Sequence, residues 1–270
     1  MTRNETVKIN GAIVLWSLAS HTNRENLETR LNDAGFTVRL PQRRSQSVLR
    51  EALQEVFPGT LVRETKTRGE LEVLEEQKGS NGRNHYIHLR SALIDGNNQV
   101  QSDITSRHML RRLQEKIAWF NNQLTSYEVS RAIVSVISSL GGTPLRDGGA
   151  VYWLDSTQLP QWTTLKQIVE STASRGTSCL YSVLTRGDED TIRCISDAVT
   201  KDIESVADMI EVDLLDEEVS ETIVRNRKKT LDALRSKMQA YEQSLDTSLT
   251  RVQEVLNHVS TTAAAAELVS

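Results

Sequence analysis

The residues best equipped for chemistry in this chain are five histidines, two cysteines, short acidic runs and a basic front end. His85 and His88 are three apart on a stretch that reads as a strand. Strand side chains alternate between faces, so this pair points to opposite sides and cannot hold one ion together. No cysteine or further histidine stands at the ligand spacing of a zinc site, and His21, His108 and His258 stand alone. Cys179 and Cys194 form no CxxC pair, and two thiols in 270 residues make no disulfide framework; both read as reduced, partly buried side chains. The run Asp188-Glu189-Asp190 suits the first turn of a helix, where the dipole favours negative charge, and Asp216-Glu217-Glu218 reads as a solvated face. Gly141-Gly142 and Gly148-Gly149 are too short to cradle phosphate, and GxGxxG, Walker A, HExxH and GxSxG motifs are all missing from the sequence. The expectation is a protein without catalytic, cofactor or metal residues. An enzyme of unknown class is a third reading, because any two carboxylates can meet in space.

Charge points elsewhere. Residues 1–68 carry 11 Lys/Arg against 7 Asp/Glu, a net +4, and residues 69–186 carry 12 against 11, a net +1. Residues 187–270 carry 9 against 18, a net −9. A polyanion would therefore meet the front and be repelled by the end. In the front, Arg43, Arg44 and Arg50 flank or enter a helix over Ser45 to Phe57, while Arg63, Lys66 and Arg68 lie on the hairpin after it. Helix, extended piece, helix and hairpin over 22–77 is the order of a winged helix, and arginines so placed can reach phosphate oxygens. Glu51 and Glu55 on the same helix, and a net charge of only +4, count against it.

The elements that must position these residues follow from local pattern. Gly11 to Ala19 is an apolar run with Ile13 and Val14, a buried strand far short of the roughly 18 residues that span a bilayer. The segment before it lacks a secretory signal pattern, so a cytoplasmic protein with no membrane partner is expected. Thr22 to Glu25 forms a capping box for a helix ended by Gly35, and Phe36 to Leu40 is extended. After the helix stopped by Pro58-Gly59 come strands over Thr60 to Thr67, Glu70 to Gln77 and Tyr86 to Ile94, the last two joined at Gly79 to Gly82. A helix begins near Ser102-Asp103 with Leu110, Leu113, Ile117, Phe120 and Leu124 in register. Thr125 to Glu128 is a second capping box. A hairpin over Thr143 to Asp155 turns at Asp147-Gly148-Gly149, followed by a helix from Leu159 to Ser174 and a strand from Ser178 to Leu184.

Beyond Gly187 there is no further glycine and no proline. A heptad register runs unslipped through Ile203, Val206, Ile210, Leu231, Leu234, Met238, Tyr241, Leu245, Val252 and Val255, and is polar between Asp213 and Arg227. There Val212, Leu215, Val219 and Ile223 form a stripe on another face. Two shapes fit: a rod of up to ~120 Å at 1.5 Å per residue, or a hairpin broken near Asp213 to Asp216. Isolated helices are marginal in water, so the seam must be covered by this protein's own front domains, a second copy or a partner helix.

The fold class that results is α+β: an α/β module over 1–98, a helix–hairpin–helix–strand module over 99–186, and a long, helical, coiled-coil-like region over 187–270. The leading functional expectation is a non-enzymatic assembly or adaptor protein that oligomerises or binds a protein partner through the heptad seam. The alternative is a nucleic-acid-associated regulator using Arg43, Arg44, Arg50, Lys66 and Arg68. Leu49 to Leu53 with Gly59-Thr-Leu-Val-Arg63, and Gly148-Gly-Ala-Val-Tyr-Trp-Leu154 before an acidic helix, together resemble a functionally uncharacterised family of bacteria and their phages or plasmids. That resemblance implies a mobile-element or host–phage setting and assigns no catalytic residue.

Overall fold

The computed structural model describes residues 9–78, 84–95, 99–146, 149–215 and 220–269. Its contacts divide the chain into two units, one of residues Met1–Leu18, Ser130–Ser171 and Thr177–Ser270, the other of Ala19–Val129 and Thr172–Gly176. This is not the linear division into 1–98, 99–186 and 187–270. The reason is strand pairing: β1 (Ile9–Ser17), from the start of the chain, lies between β9 (Val151–Asp155) and β11 (Cys179–Arg186).

In the first unit the antiparallel sheet has the order β11-β1-β9-β8, with β8 at Thr143–Pro144. Alternation along β1 buries Ala12 and Val14 completely. Gly11 is required here: a Cβ would stand 2.3 Å from the Leu154 carbonyl and 2.5 Å from the Trp153 ring. The indole of Trp153 therefore lies on the backbone of β1 and donates to Thr185 Oγ1 at 3.1 Å. The sheet is joined by α5 (Leu159–Ser171), whose Trp162 donates to Ser182 Oγ of β11 at 2.7 Å. The helix expected to reach Ser174 ends sooner because Ala173–Arg175 forms the short strand β10.

Three helices complete this unit: α6 (Glu189–Leu214), α7 (Glu221–Leu245) and α8 (Thr250–Val269), each packed on the other two. Their directions can be read from cross-helix pairs. Glu204–Arg251 and Glu211–His258 advance together by seven residues, so α6 and α8 run parallel. Asp202–Lys237 and Asp213–Arg227 advance in opposite senses, as do Arg235–Ser260 and Lys228–Glu267, so α7 runs against both. The rod is thus replaced by helices folded back on themselves. The first break falls after Leu214, as the hairpin alternative expects, and residues 216–219 lie outside the described residues. The second break lies at Asp246, a left-handed residue (φ 50°) that closes α7, and Glu242 then accepts the Leu249 amide at 2.7 Å.

In the second unit α2 (Ser45–Val56) and α3 (Arg107–Asn121) pack on each other and on an antiparallel meander, β3 (Leu61–Glu64), β4 (Glu70–Lys78), β5 (Asn84–Ile94) and β6 (Val100–Ser102). Val48, Leu49, Ala52, Leu53 and Val56 fill its core with Leu71, Val73, Leu113, Ile117 and Phe120. A separate sheet, β10-β2-β7, joins His21–Asn23 (β2) and Gln123–Thr125 (β7) to β10. Here Asn23 caps α1 (Arg24–Asp33), its side chain accepting from the Asn26 amide, so the cap lies one residue beyond the expected Thr22. Thr22 is instead held in β2. Likewise Ser102 belongs to β6, and α3 starts at a Ser106 cap. The capping box at Thr125 does form: the Glu128 amide donates to Thr125 Oγ1 at 3.3 Å and the Thr125 amide to Glu128 Oε2 at 2.7 Å, opening α4 (Ser126–Ser139). Phe36 to Leu40 joins no sheet and forms no regular element, and the turns expected at 79–82 and 147–148 lie outside the described residues.

Candidate interaction surfaces

Heptad spacing brings the ten seam residues together, and it does so inside the first unit. Ile203, Ile210, Leu231, Leu234, Met238, Tyr241, Leu245 and Val252 are buried in one cluster with Trp153, and Val206 and Val255 pack against it. The most polar of them is anchored by hydrogen bonds: Tyr241 donates to Gly141 O at 2.8 Å and lies 2.8 Å from Thr143 Oγ1. Burial pushes the Tyr241 phenol well above its ordinary range, against the lowering effect of the Thr143 hydrogen bond, while Asp202 and Asp155 raise it further. Lys237 joins Asp202 at 2.7 Å over the Tyr241 ring. The seam is therefore covered by this chain's own helices and sheet. A partner at the seam would have to displace α7 or α8.

The second stripe has a different fate. Val212, Leu215 and Ile223 are 71%, 66% and 40% exposed, Val219 lies outside the described residues, and Met209, three residues before Val212 on α6, adds a side chain 57% exposed. Beside them lies a groove of about 510 Å³ lined by Val206, Asp208, Met209, Ile210, Val212 and the Asp213–Arg227 pair. Ile223 shares a helix face with Arg227, four residues on. Three uncovered apolar side chains in succession differ from the scattered exposure of an ordinary surface.

The basic candidates separate into two groups. Arg43, with a side chain 5% exposed, forks onto Glu51, donating from Nη1 to Oε2 at 3.2 Å and from Nη2 to Oε1, and reaches the Phe120 carbonyl at 3.4 Å. Glu128 stands 4.0 Å from it. Burial alone would raise the Glu51 pKa; the Arg43 hydrogen bond and charge, helped by His21, hold it below the usual value. Arg50 donates to Val62 O at 2.8 Å and pairs with Glu64, and Arg63 pairs with Glu72 across β3–β4. Arg44, Lys66 and Arg68 are exposed. The structure thus assigns Arg43 to the core of its unit rather than to a phosphate-facing surface.

Sequence reasoning missed one arrangement with catalytic connotations. Ser20 Oγ lies 3.2 Å from His21 Nδ1, and His21 Nε2 lies 3.3 Å from Glu51 Oε2, an order of hydroxyl, imidazole and carboxylate. Yet Ser20 Oγ donates its proton to Arg175 O at 3.1 Å, and the Glu51 charge is compensated by Arg43. The hydroxyl is not poised for attack, and the group ties β2 to α2. Nearby, Glu55 binds both Arg175 and Lys116, whose hydrogen bonds bring its pKa from 4.5 down to about 2. Only fold proximity reveals the His21–Glu51 and Glu55–Arg175 pairs, whose partners are 30 and 120 positions apart. Among the described residues no group of three or more His, Cys, Asp or Glu could hold a metal ion, and no helix is long and apolar enough to cross a membrane.

Comparison with curated proteins finds no match, and comparison with solved structures finds none either. A family match does exist: residues 10–269 fit the family described as Family of unknown function (DUF6744). That span takes in both units, from β1 through α8, so this chain is a member of the DUF6744 family.

Proposed function

We propose that this protein is a non-enzymatic interaction protein that takes up a basic, amphipathic helix at the end of α6 and the start of α7. The observation that carries the reading is the exposed run Met209, Val212 and Leu215 beside the groove under the Asp213–Arg227 pair. A helix laid in a groove offers apolar anchors at i, i+3 and i+7, which suits a stripe of this spacing. The charge that favours a basic occupant is on α6, which carries eight carboxylates against two cations and places Asp208 in the groove lining, whereas α7 carries six cations against three acids. The heptad seam serves a different end in this reading: it closes the helices and presents their outer face.

The test is a fluorescence anisotropy titration of the full chain with a labelled Lys- and Leu-rich helical peptide. Binding is expected to weaken with salt and to fall at least tenfold in a Met209→Ser/Val212→Ser double variant. These side chains are exposed, so the variant keeps its fold. Equal binding by the variant, or no binding by the natural sequence, would refute the reading.

Nucleic-acid association keeps a narrower basis as a second reading, resting on exposed Arg44 at the start of α2 and on Lys66 and Arg68 in the β3–β4 turn. It predicts duplex or single-strand binding that falls steeply as salt rises and is lost on replacing those three residues with alanine. Absence of binding at low salt rejects it.

A further inference from the structure

The outer strand of the first unit's sheet is β11, paired on one side with β1. Its sequence, CLYSVLTR, carries no proline, lysine or acidic residue to discourage a further strand, and Tyr181, Val183 and Leu184 are 48%, 56% and 54% exposed. The direction of its backbone groups is marked by one bond. Leu180 gives its amide to Glu170 Oε1 at 2.8 Å rather than to β1. In an antiparallel ladder the bonding direction alternates, so Leu180, Ser182, Leu184 and Arg186 turn their backbone groups outward. Tyr181, Val183 and Thr185 turn theirs towards Leu15, Ile13 and Gly11.

We propose that β11 pairs antiparallel with β11 of a second copy about a two-fold axis at Val183, joining two four-stranded sheets into one of eight strands. Hydrogen-bonded positions must bring outward residues opposite one another. Centring on Val183 sets Ser182 against Leu184 of the second copy, with Val183 facing its own counterpart. The same register sets Arg186 of one copy against Leu180 of the other, whose amide passes from Glu170 to the Arg186 carbonyl as Glu170 takes the Arg186 guanidinium. Arg186 shares the strand face of Ser182, which binds Trp162 of α5, and Glu170 is also on α5. Each end of the paired strands thus brings a cation to a carboxylate. Centring on Ser182 instead would oppose Leu184 to Leu180 and leave Arg186 without an opposing acid, so charge selects the Val183 register and a second copy of this chain as occupant. This surface is separate from the α6–α7 stripe and does not depend on it.

Sedimentation equilibrium of the full chain is expected to give twice the 30.3 kDa chain mass. Val183→Lys, which opposes two cations at the axis, is expected to give the single mass. Glu170→Arg and Arg186→Glu should each weaken the dimer at least tenfold, and the two together should restore it. As a readout that survives a folding defect in those variants, Val183→Cys in a Cys179→Ser/Cys194→Ser background is expected to form a covalent dimer on mild oxidation. Facing residues of a non-hydrogen-bonded pair stand about 4.5 Å apart at Cα, within disulfide reach. A natural chain that remains at 30.3 kDa at all concentrations overturns the proposal. So does a dimer that Val183→Lys leaves intact, or a Val183→Cys chain that fails to cross-link.

Discussion

Arg43 is the residue whose role is most sharply decided by its surroundings. Its guanidinium is nearly sealed from solvent and satisfied by Glu51 and the Phe120 carbonyl. Removing one partner of a buried pair leaves the other charge uncompensated, at a cost of about 3–5 kcal/mol. Arg43→Ala should lower the urea midpoint of unfolding accordingly, whereas Arg44→Ala, at an exposed position, should move it by less than about 0.5 kcal/mol. Glu55 supplies a pH signature. Its folded pKa lies near 2 against 4.5 unperturbed, so its contribution is fully present above pH 4.5 and is lost as pH falls towards 2. Melting temperatures between pH 6 and pH 2 should drop over that interval, and Glu55→Gln should flatten the drop. Tyr241→Phe removes the donor to Gly141 O and the partner of Thr143 Oγ1 and should cost about 1–3 kcal/mol, because the Thr143 hydroxyl stays buried. At this scale the sequence disclosed residue types but not partners. Glu55 and Arg175 are 120 positions apart, and no spacing rule connects them.

Element boundaries were legible where local chemistry sets them. The Thr125–Glu128 box, the α2 face and the β3–β4 hairpin follow from capping and periodicity. The strands of the β10-β2-β7 sheet, at three residues each, are too short to show alternation, and they exist because tertiary pairing holds them. The helical end misleads for a definite reason. Leu245, Leu249 and Val252 keep an apolar stripe across the Asp246 break, so the register passes through a turn that has no glycine to announce it. Asp246 pays a left-handed backbone there. Asp246→Gly is predicted to raise stability by about 0.5–1 kcal/mol in chemical denaturation, because glycine adopts that conformation without strain. A decrease would mean that the aspartate side chain contributes more than its backbone costs.

For the whole molecule, interleaving is what sequence order conceals. A strand from the first twenty residues is completed by strands more than 130 positions later, and the three C-terminal helices cover Trp153 of that sheet. Removal of residues 188–270 should therefore uncover the sheet and cause aggregation or unfolding, rather than release a stable front portion; circular dichroism and light scattering of the shortened chain check this. Two things are expected together: the heptad seam stays closed within the chain, and a basic helix docks on the outer stripe. Hydrogen exchange read by mass spectrometry, with and without the Lys- and Leu-rich peptide, tests both halves at once. Amides across 231–245 and 250–263 should be protected in the free protein and unchanged by peptide, while protection should rise over 206–215 and 221–227. Rapid exchange along 231–245 in the free protein, slowed only when peptide is added, would contradict it.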